Sequence, residues 1–374
     1  MIDRNNPIPL YFQIKNKIFE EIETGKLKPG EKLLPERELA FRYNVTRMTI
    51  RQSIRTLVDQ GFLKSKGGSG TYVLDRHPHR PKKDKKAVNT KIIGVFVRDI
   101  QRGIMIDLIR GIEDKAIDAG YSTIICNTEN RWEKANLYAD QLIGNRVQGV
   151  IYTPIQELEN GGKKEAGNET IIKKFIDNDI PIVLVDHACK SIETDLVVSD
   201  NFAGGYEMTK HLIESGHKRI AVIYDFLETS IEDRIDGYKK ALSDHNIEYD
   251  ESLVRNVKDY GFTDSFSKDV KDIISNLKTT AIFAMNDLLA NDIYYHAKKN
   301  KLNIPNDISV VGYDDLPFAN ELKTPLTTIH QPIYQVAVES FKIIHERMQQ
   351  PETHFKKIVL QNELIIRKSV KNIK

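Results

Sequence analysis

From Lys91 onward, short apolar runs alternate with longer amphipathic ones, and this alternation limits the fold more than any other feature of the chain. Ile92–Val97, Ser122–Cys126, Gly149–Thr153, Ile182–Val185, Leu196–Ser199, Arg219–Tyr224, Thr280–Ala284 and Ser309–Gly312 read as strands. Between them, Ile104–Ala119, Ala135–Asn145, Phe202–Ser215, Arg234–His245, Asp287–Lys299 and Tyr334–Gln349 read as helices. Near-continuous apolar strands joined by crossover helices make parallel sheets with both faces covered. Ile104, Leu108, Ile112 and Ile117 fall close to one helical face. Gly120 and Gly216 each follow a helix, where a residue free to take positive φ ends it. The unit of helix, glycine, loop and strand occurs twice, so the simplest architecture is a doubly wound lobe built twice.

The first 75 residues have a different pattern. Residues 10–24 make a helix with Ile14, Ile18 and Ile22 on one face, ended by Gly25. Lys28-Pro29-Gly30-Glu31 is a turn. A second helix begins near Glu36, packed by Leu39, Ala40 and Phe41, and Asn44 suits a left-handed turn position. A third runs from about Thr46, its cap, to Gln60. Its buried stripe is Ile50, Ile54, Leu57 and Val58, while Arg47, Arg51 and Arg55 lie on another face. Phe62-Leu63-Lys64 and Thr71-Tyr72-Val73 then form two short strands around a tip of Lys66 and Gly67–Gly70. A helix, a turn, a basic helix and a glycine-tipped hairpin place one helix in a DNA major groove with a wing beside it.

Charge divides the chain at the same place. The net charge of +2 conceals 19 Lys+Arg against 10 Asp+Glu in residues 1–90, a balance of +9, and −7 in the remainder. A polyanion partner is therefore expected for the first part only. The expected domains are a winged helix-turn-helix over 1–75, a linker over 76–90 and a two-lobed unit over 91–374. The linker, Arg76 to Lys86 above all, holds two prolines and six Lys+Arg with almost no apolar side chains. Cys126 and Cys189 have no metal-site spacing and read as buried thiols of a cytoplasmic protein. Neither a signal peptide nor a membrane span is expected, and Asn168-Glu169-Thr170 reads as a chance sequon. The chain has no nucleophile elbow, His-Glu-x-x-His or P-loop, and its histidines (His187, His211, His217, His330) are scattered. No enzyme activity, cofactor or metal is expected.

Residues 8–74 resemble the winged-helix domain of the GntR family of bacterial transcription regulators, through Glu36-Arg37-Glu38-Leu39-Ala40, Val45 to Arg51, Gly61-Phe62-Leu63 and the glycine-rich tip. The resemblance implies operator contacts by Arg37, Arg47 and Arg51. It implies backbone or minor-groove contacts by Thr49, Lys66, Gly68 and Gly70. The family's Pro-Ser before Glu-Arg is replaced by Leu34-Pro35, so the capping serine is absent, and Pro35 starts the helix instead.

In the second part, polar residues gather just beyond strand ends, where open α/β sheets bind ligands. Asp99, Asp186, Asp200, Asn201, Asn286, Asp287, Asp314 and Asp315 are so placed, and Arg234 joins them. Such a set suits a hydroxyl-rich ligand such as a sugar, although an Asp at a strand end also serves as a helix cap. Residues 90–370 are similar to the LacI-type effector domain, whose fold is that of periplasmic sugar-binding proteins. Asp200 to Tyr206, His211 to Ile220, Arg234 to Tyr238, Asn286-Asp287, Ile308 to Asp315, Leu326 to Ile329 and Asn362 to Ser369 carry the likeness. It implies effector contacts by Asp186, Arg234, Asn286, Asp314 and Asp200. The Asp99–Met105 loop and the region of Trp132 are expected to line the pocket, with Trp132 either stacking on a sugar ring or simply packed at a helix start. Hinge strands are expected near Ser199, Thr328 and Glu352–Phe355.

A GntR-type head on a LacI-type body resembles the arabinose-responsive repressors of Gram-positive bacteria. This implies a homodimer on double-stranded operator DNA, released by a small sugar, L-arabinose by that likeness. The Asp99–Met105 and Phe226–Ile231 loops leave room for another pentose or a disaccharide. Two alternatives stay open: a sugar receptor without gene control, and a regulator whose ligand tightens DNA binding.

Overall fold

The structure, a computed structural model, describes residues 10–23, 25–59, 62–66, 70–74, 91–101, 103–155, 164–257, 263–351 and 353–374. The chain divides into two compact units, Met1–Val88 and Asn89–Lys374. The expected linker, residues 76–90, falls outside the described residues.

In the first unit, α1 (Leu10–Glu23) and α2 (Glu36–Tyr43) both pack on α3 (Arg47–Asp59). The strands β1 (Leu63–Lys66) and β2 (Gly70–Val73) form an antiparallel hairpin. Ile14, Ile18, Leu33, Leu39, Ile50, Leu57, Leu63 and Val73 make one buried cluster. Asn44 turns the chain between α2 and α3 at φ 51, ψ 51. The Thr46 hydroxyl accepts the Thr49 amide at 3.3 Å, meeting one of the donors a helix start leaves open. Pro35 stands at the N-cap of α2 without a side-chain cap bond, and its carbonyl takes the amides of Glu38 and Leu39. Phe41 corrects an expectation: it is 90% exposed. The buried positions of α2 are Leu39 and Ala40, and one further residue of rotation carries position 41 to solvent.

The second unit holds two parallel sheets. The first lobe has six strands in the order β13-β7-β6-β5-β3-β4: β3 (Ile92–Val97), β4 (Ser122–Asn127), β5 (Gly149–Tyr152), β6 (Ile182–Val185), β7 (Asp195–Ser199) and β13 (Lys357–Leu360). Alternation along β3 fills both faces. Ile93, Val95 and Val97 meet α4 (Ile104–Asp118) and α11 (Ile333–Gln349), while Phe96 packs with α5 (Trp132–Gly144) and α6 (Lys164–Ile176). The second lobe orders β11 (Ser309–Val311), β10 (Ala281–Ala284), β8 (Ile220–Tyr224) and β9 (Val254–Asn256). One face carries α7 (Asn201–Glu214) and α8 (Thr229–Asp244), and the other α9 (Asp264–Ser275) and α10 (Asp287–Lys299). The short antiparallel pair β12 (Thr328–His330) and β14 (Glu363–Ile365) adjoins it.

Glycines decide how closely α7 and α8 approach. A Cβ on Gly205 would stand 2.2 Å from the Arg234 carbonyl oxygen, and one on Gly237 would stand 2.2 Å from that of Phe202. The backbones touch only because both positions lack side chains, and this contact sets Arg234 at the sheet edge.

The chain passes between the lobes at Ser199–Asn201, His330–Ile333 and Leu360–Glu363. Hydrogen bonds tie these segments together: Ser199 Oγ donates to Gln331 Oε1 at 2.6 Å, and Asn362 Nδ2 to the Asp200 carbonyl at 2.9 Å. The third hinge was expected nearer Glu352–Phe355. Instead, the carbonyls of Pro351, Thr353 and His354 accept from Arg347, which holds that segment to the first lobe. Cys126 and Cys189 are buried free thiols, and burial pushes the Cys126 thiol up to about 12. Asn168 of the sequon is also buried, its Oδ1 accepting from Tyr152 Oη at 2.7 Å and from the Ile155 amide at 2.8 Å.

Candidate functional site

In the head, α3 presents Arg47, Arg51 and Arg55 opposite its buried stripe, and all three are exposed, as is Arg37 on α2. Arg51 grips Glu36 with one edge of its fork, Nε to Oε1 at 3.1 Å and Nη2 to Oε2 at 2.8 Å, and Arg47 Nη2 lies 3.7 Å from the same carboxylate. The Arg51 hydrogen bond, working against partial desolvation, holds the Glu36 carboxyl below its usual range. The grip fixes the direction of Arg51 and engages two of its five N–H donors. Thr49 shares the helix cap, its hydroxyl 2.9 Å from that of Thr46. Gly70 takes φ 120, and a Cβ there would stand 2.4 Å from Lys32 Cε, so only glycine suits this corner of the wing. Gly68 and the Lys66 side chain fall outside the described residues.

In the body, the sequence-predicted Asp186, Arg234, Asn286 and Asp314 converge on one cleft between the lobes. Three groups that sequence reasoning missed share it: Arg98, Asp225 and Glu228.

Arg98 follows β3 and is 5% exposed. Its Nη2 donates to Asp186 Oδ2 at 2.5 Å and its Nη1 to Glu228 Oε2 at 2.9 Å. Burial opposes its charge, but Glu228, Asp186 and Asp225 outweigh burial and raise its pKa. Burial likewise opposes ionisation of Asp186, and the adjoining Arg98 and His187 prevail, holding its carboxyl well below the usual range. Asp186 takes φ 74 and Asp314 φ 116, left-handed conformations that cost a non-glycine residue energy and concentrate at functional sites. Arg234, 4% exposed, donates from Nε to Asn201 Oδ1 at 2.8 Å and from Nη1 to the Met285 carbonyl, and its guanidinium lies 3.5 Å from the Tyr313 ring centroid. Asn286 caps α10 by accepting the Leu289 amide at 2.8 Å, and its Nδ2 lies 3.4 Å from Asp225 Oδ1. Asp314 Oδ1 accepts from Gln331 Nε2 at 2.7 Å. Beneath them, buried Asp287 accepts from Thr328 Oγ1 at 2.7 Å and from the Leu316 amide at 2.8 Å. Burial, then the Asp314 charge, pushes its carboxyl up.

Four predicted residues lie elsewhere. Met105 is 1% exposed inside the core between α4 and the sheet, because its helical position shares a face with Leu108 and Ile112. Asp99 folds back to accept the Gln101 amide at 3.0 Å, so the strand-end position that reaches the cleft is Arg98. Asp200 caps α7 through the Ala203 amide at 2.9 Å. Trp132, the first residue of α5, packs against the core and does not line the cleft, the simpler of the two expectations for it. The strand-end rule, extended to Asp225 immediately after β8, would have found that residue, and Glu228 lies in the flagged Phe226–Ile231 loop.

Asp186, His187 and Glu228 place one potential ligand atom each within 4.8 Å of one another. Both carboxylates are already spanned by the Arg98 guanidinium, which supplies the cation this group calls for.

Comparison with known proteins gives the architecture a lineage. The family of bacterial regulatory proteins, gntR family, matches residues 10–73, and the periplasmic binding protein-like domain matches residues 209–370. The chain is 30% identical over 304 residues to the HTH-type transcriptional repressor PurR of Histophilus somni, spanning 80% of this chain and 87% of that one. The chain belongs to the LacI-type transcriptional repressors. Its head is of the gntR type. It is also 28% identical over 377 residues to the arabinose metabolism transcriptional repressor of Geobacillus stearothermophilus, covering 99% of this chain and 100% of that one. Among solved structures, it is similar to a LacI family transcriptional regulator from Enterococcus faecium with bound ribose, at a TM-score of 0.64 and 28% identity over 76% of this chain and 100% of that one. A periplasmic binding protein/LacI transcriptional regulator from Alkaliphilus metalliredigens, complexed with D-xylulofuranose, matches at a TM-score of 0.62 and 25% identity, covering 75% of this chain and 99% of that one. Among the described residues, no helix is long and apolar enough to cross a membrane.

Proposed function

We propose that the chain is a cytoplasmic, homodimeric repressor whose head reads an operator and whose cleft binds a pentose that releases it, L-arabinose foremost. The observation that carries this reading is the cleft between the lobes, where the carboxylates of Asp186, Asp225, Glu228 and Asp314 share a wall with the guanidinium of Arg234 and the amide of Asn286. Sugar hydroxyls both donate and accept, so such a wall satisfies them bidentately from either side. The named relative acts in arabinose metabolism, and the two neighbours described above hold ribose and D-xylulofuranose. Two-fold symmetry matches a palindromic operator and doubles the few phosphate contacts of one winged helix.

A thermal-shift screen of monosaccharides on the full chain tests the ligand, because a compound that binds only the folded form raises Tm. A pentose is expected to give the largest shift and, in gel-shift titration, to lower operator affinity about 5- to 150-fold. A flat screen, or a pentose that tightens operator binding, would reject the scheme as stated.

In the head, Arg51 reads the operator and Glu36 aims it. Arg51→Ala is expected to weaken operator binding roughly 5- to 150-fold if it meets a base edge, and to flatten the salt dependence if it meets phosphate. Titrations at two salt concentrations distinguish the two outcomes, and no change in either would remove Arg51 from the interface.

A further inference from the structure

Arg98 stands where an effector has to go. Its guanidinium enters from the first lobe and spans Asp186 of that lobe and Glu228 of the second, at 2.5 and 2.9 Å. With it in place, the Asp186 carboxylate expected to meet the effector is already engaged, and the guanidinium itself forms part of the cleft wall. Further contacts cross the same gap, His187 Nδ1 at 3.6 Å from Glu228 Oε2 among them. The Ala188 amide donates to Thr229 Oγ1 at 3.0 Å, and Lys190 Nζ to Glu232 Oε2 at 2.6 Å. The lysine pair is largely exposed and contributes little. The buried Arg98 bridge is therefore the main polar tie across the cleft. It is an imperfect one: among the described residues, Arg98 Nε has no hydrogen-bond partner, and a buried donor left unmet weakens the hold.

We infer that Arg98 is a resident substitute for the effector, joining the lobes through Asp186 and Glu228, and that the true effector is a neutral polyhydroxylated molecule that takes those carboxylates from it, not a phosphorylated or acidic sugar. The inference rests on reading the cleft as a sugar site and adds the side chain that the ligand displaces. The wall carries four carboxylates, Asp186, Asp225, Glu228 and Asp314, against the two guanidiniums Arg98 and Arg234. Displacing Arg98 leaves acids in larger excess, and an anionic ligand would be buried against like charge. Adjacent hydroxyls instead present two donors side by side, as a guanidinium edge does, and bring no charge. Because the competent form is the one with Arg98 displaced, the resident side chain lowers apparent sugar affinity by the fraction of molecules so displaced.

The experiment uses the full chain and two readouts. The first is hydrogen exchange at the Ala188 amide, which is bonded across the cleft. Without added sugar, Arg98→Ala is expected to exchange about tenfold faster at Ala188 than the parent, and millimolar methylguanidinium to restore the protection. If Arg98→Ala folds poorly, Glu228→Gln breaks the same bridge from the opposite lobe and is expected to speed exchange likewise. Unchanged exchange in both variants would overturn the bridge. The second readout is calorimetry with L-arabinose, D-ribose and D-ribose 5-phosphate. A neutral pentose is expected to bind, more tightly to Arg98→Ala than to the parent, and the phosphate to bind neither. Binding of the phosphate as tight as that of ribose, or loss of sugar binding in Arg98→Ala, would overturn the inference. If no neutral or charged sugar binds, the sugar-site reading itself falls, and the exchange arm still decides the bridge by itself.

Discussion

Arg234→Ala is expected to abolish the response to sugar while leaving operator binding intact. Arg234 is buried and spends its fork on the second lobe: Nε on Asn201, Nη1 on the Met285 carbonyl, and its face over Tyr313 at 3.5 Å. A desolvated cation over an aromatic face contributes about 2 kcal/mol or more, and a bidentate fork adds geometric selection that no other side chain reproduces. Its truncation removes the cation from a wall that also carries Asp225 and Asp314, and leaves Asn201 and the Met285 carbonyl unmet. Gel-shift titrations with and without the effector read the result directly, with a thermal melt to verify folding. Arg234→Lys keeps the charge without the fork and is expected to respond weakly. A sugar response in Arg234→Ala equal to that of the parent would exclude Arg234 from the effector site.

Asp195→Ala is expected to destabilise the second unit by about 3–5 kcal/mol, the usual loss when one partner of a buried ion pair is removed. Asp195 is fully buried and Arg347 is 8% exposed. The fork is bidentate, Nε to Oδ2 and Nη2 to Oδ1, both at 2.9 Å, and Oδ1 also accepts the Lys356 amide at 2.8 Å. One carboxylate thus joins β7, α11 and the approach to β13, and without it a buried guanidinium has no counter-charge. Urea unfolding monitored by far-ultraviolet circular dichroism measures the loss. Asp195→Asn, which keeps an acceptor, is expected to fall between the two. A loss below about 1 kcal/mol would mean that water reaches Arg347 and replaces the pair.

The parts of the fold legible in the sequence were those with strong periodicity. The strands β3, β6 and β10 are continuous apolar runs buried on both faces, and no other element accommodates such a run. By contrast, β13 alternates exposed and half-buried residues at a sheet edge, and β12 and β14 are three residues each, too short to carry a period. The helices α6 and α9 went unassigned, and α6 has lysines and asparagine mixed among its apolar positions. At the cleft, strand-end carboxylates and Arg234 were legible because topology alone places them there. Arg98 was not, since an arginine beside an aspartate at a strand end gives no sign of which turns inward. That choice was made by the Asp99 side chain folding onto Gln101, a contact of short range that propensity does not encode.

The lobes differ in when they are completed. Val336, Ala337, Phe341 and Ile344 of α11 fill the first lobe's interior, and β13 closes its sheet beside β7. Those pieces leave the ribosome more than a hundred residues after β7, whereas the second lobe's sheet and its four flanking helices come from one uninterrupted stretch. Domains fold as units as they emerge, so the nascent chain carries the apolar face of β3, β5 and β6 without its lid until α11 and β13 have emerged. A premature stop after residue 330 would therefore spare much of the later-made lobe and leave the earlier-made one exposed to aggregation and proteolysis.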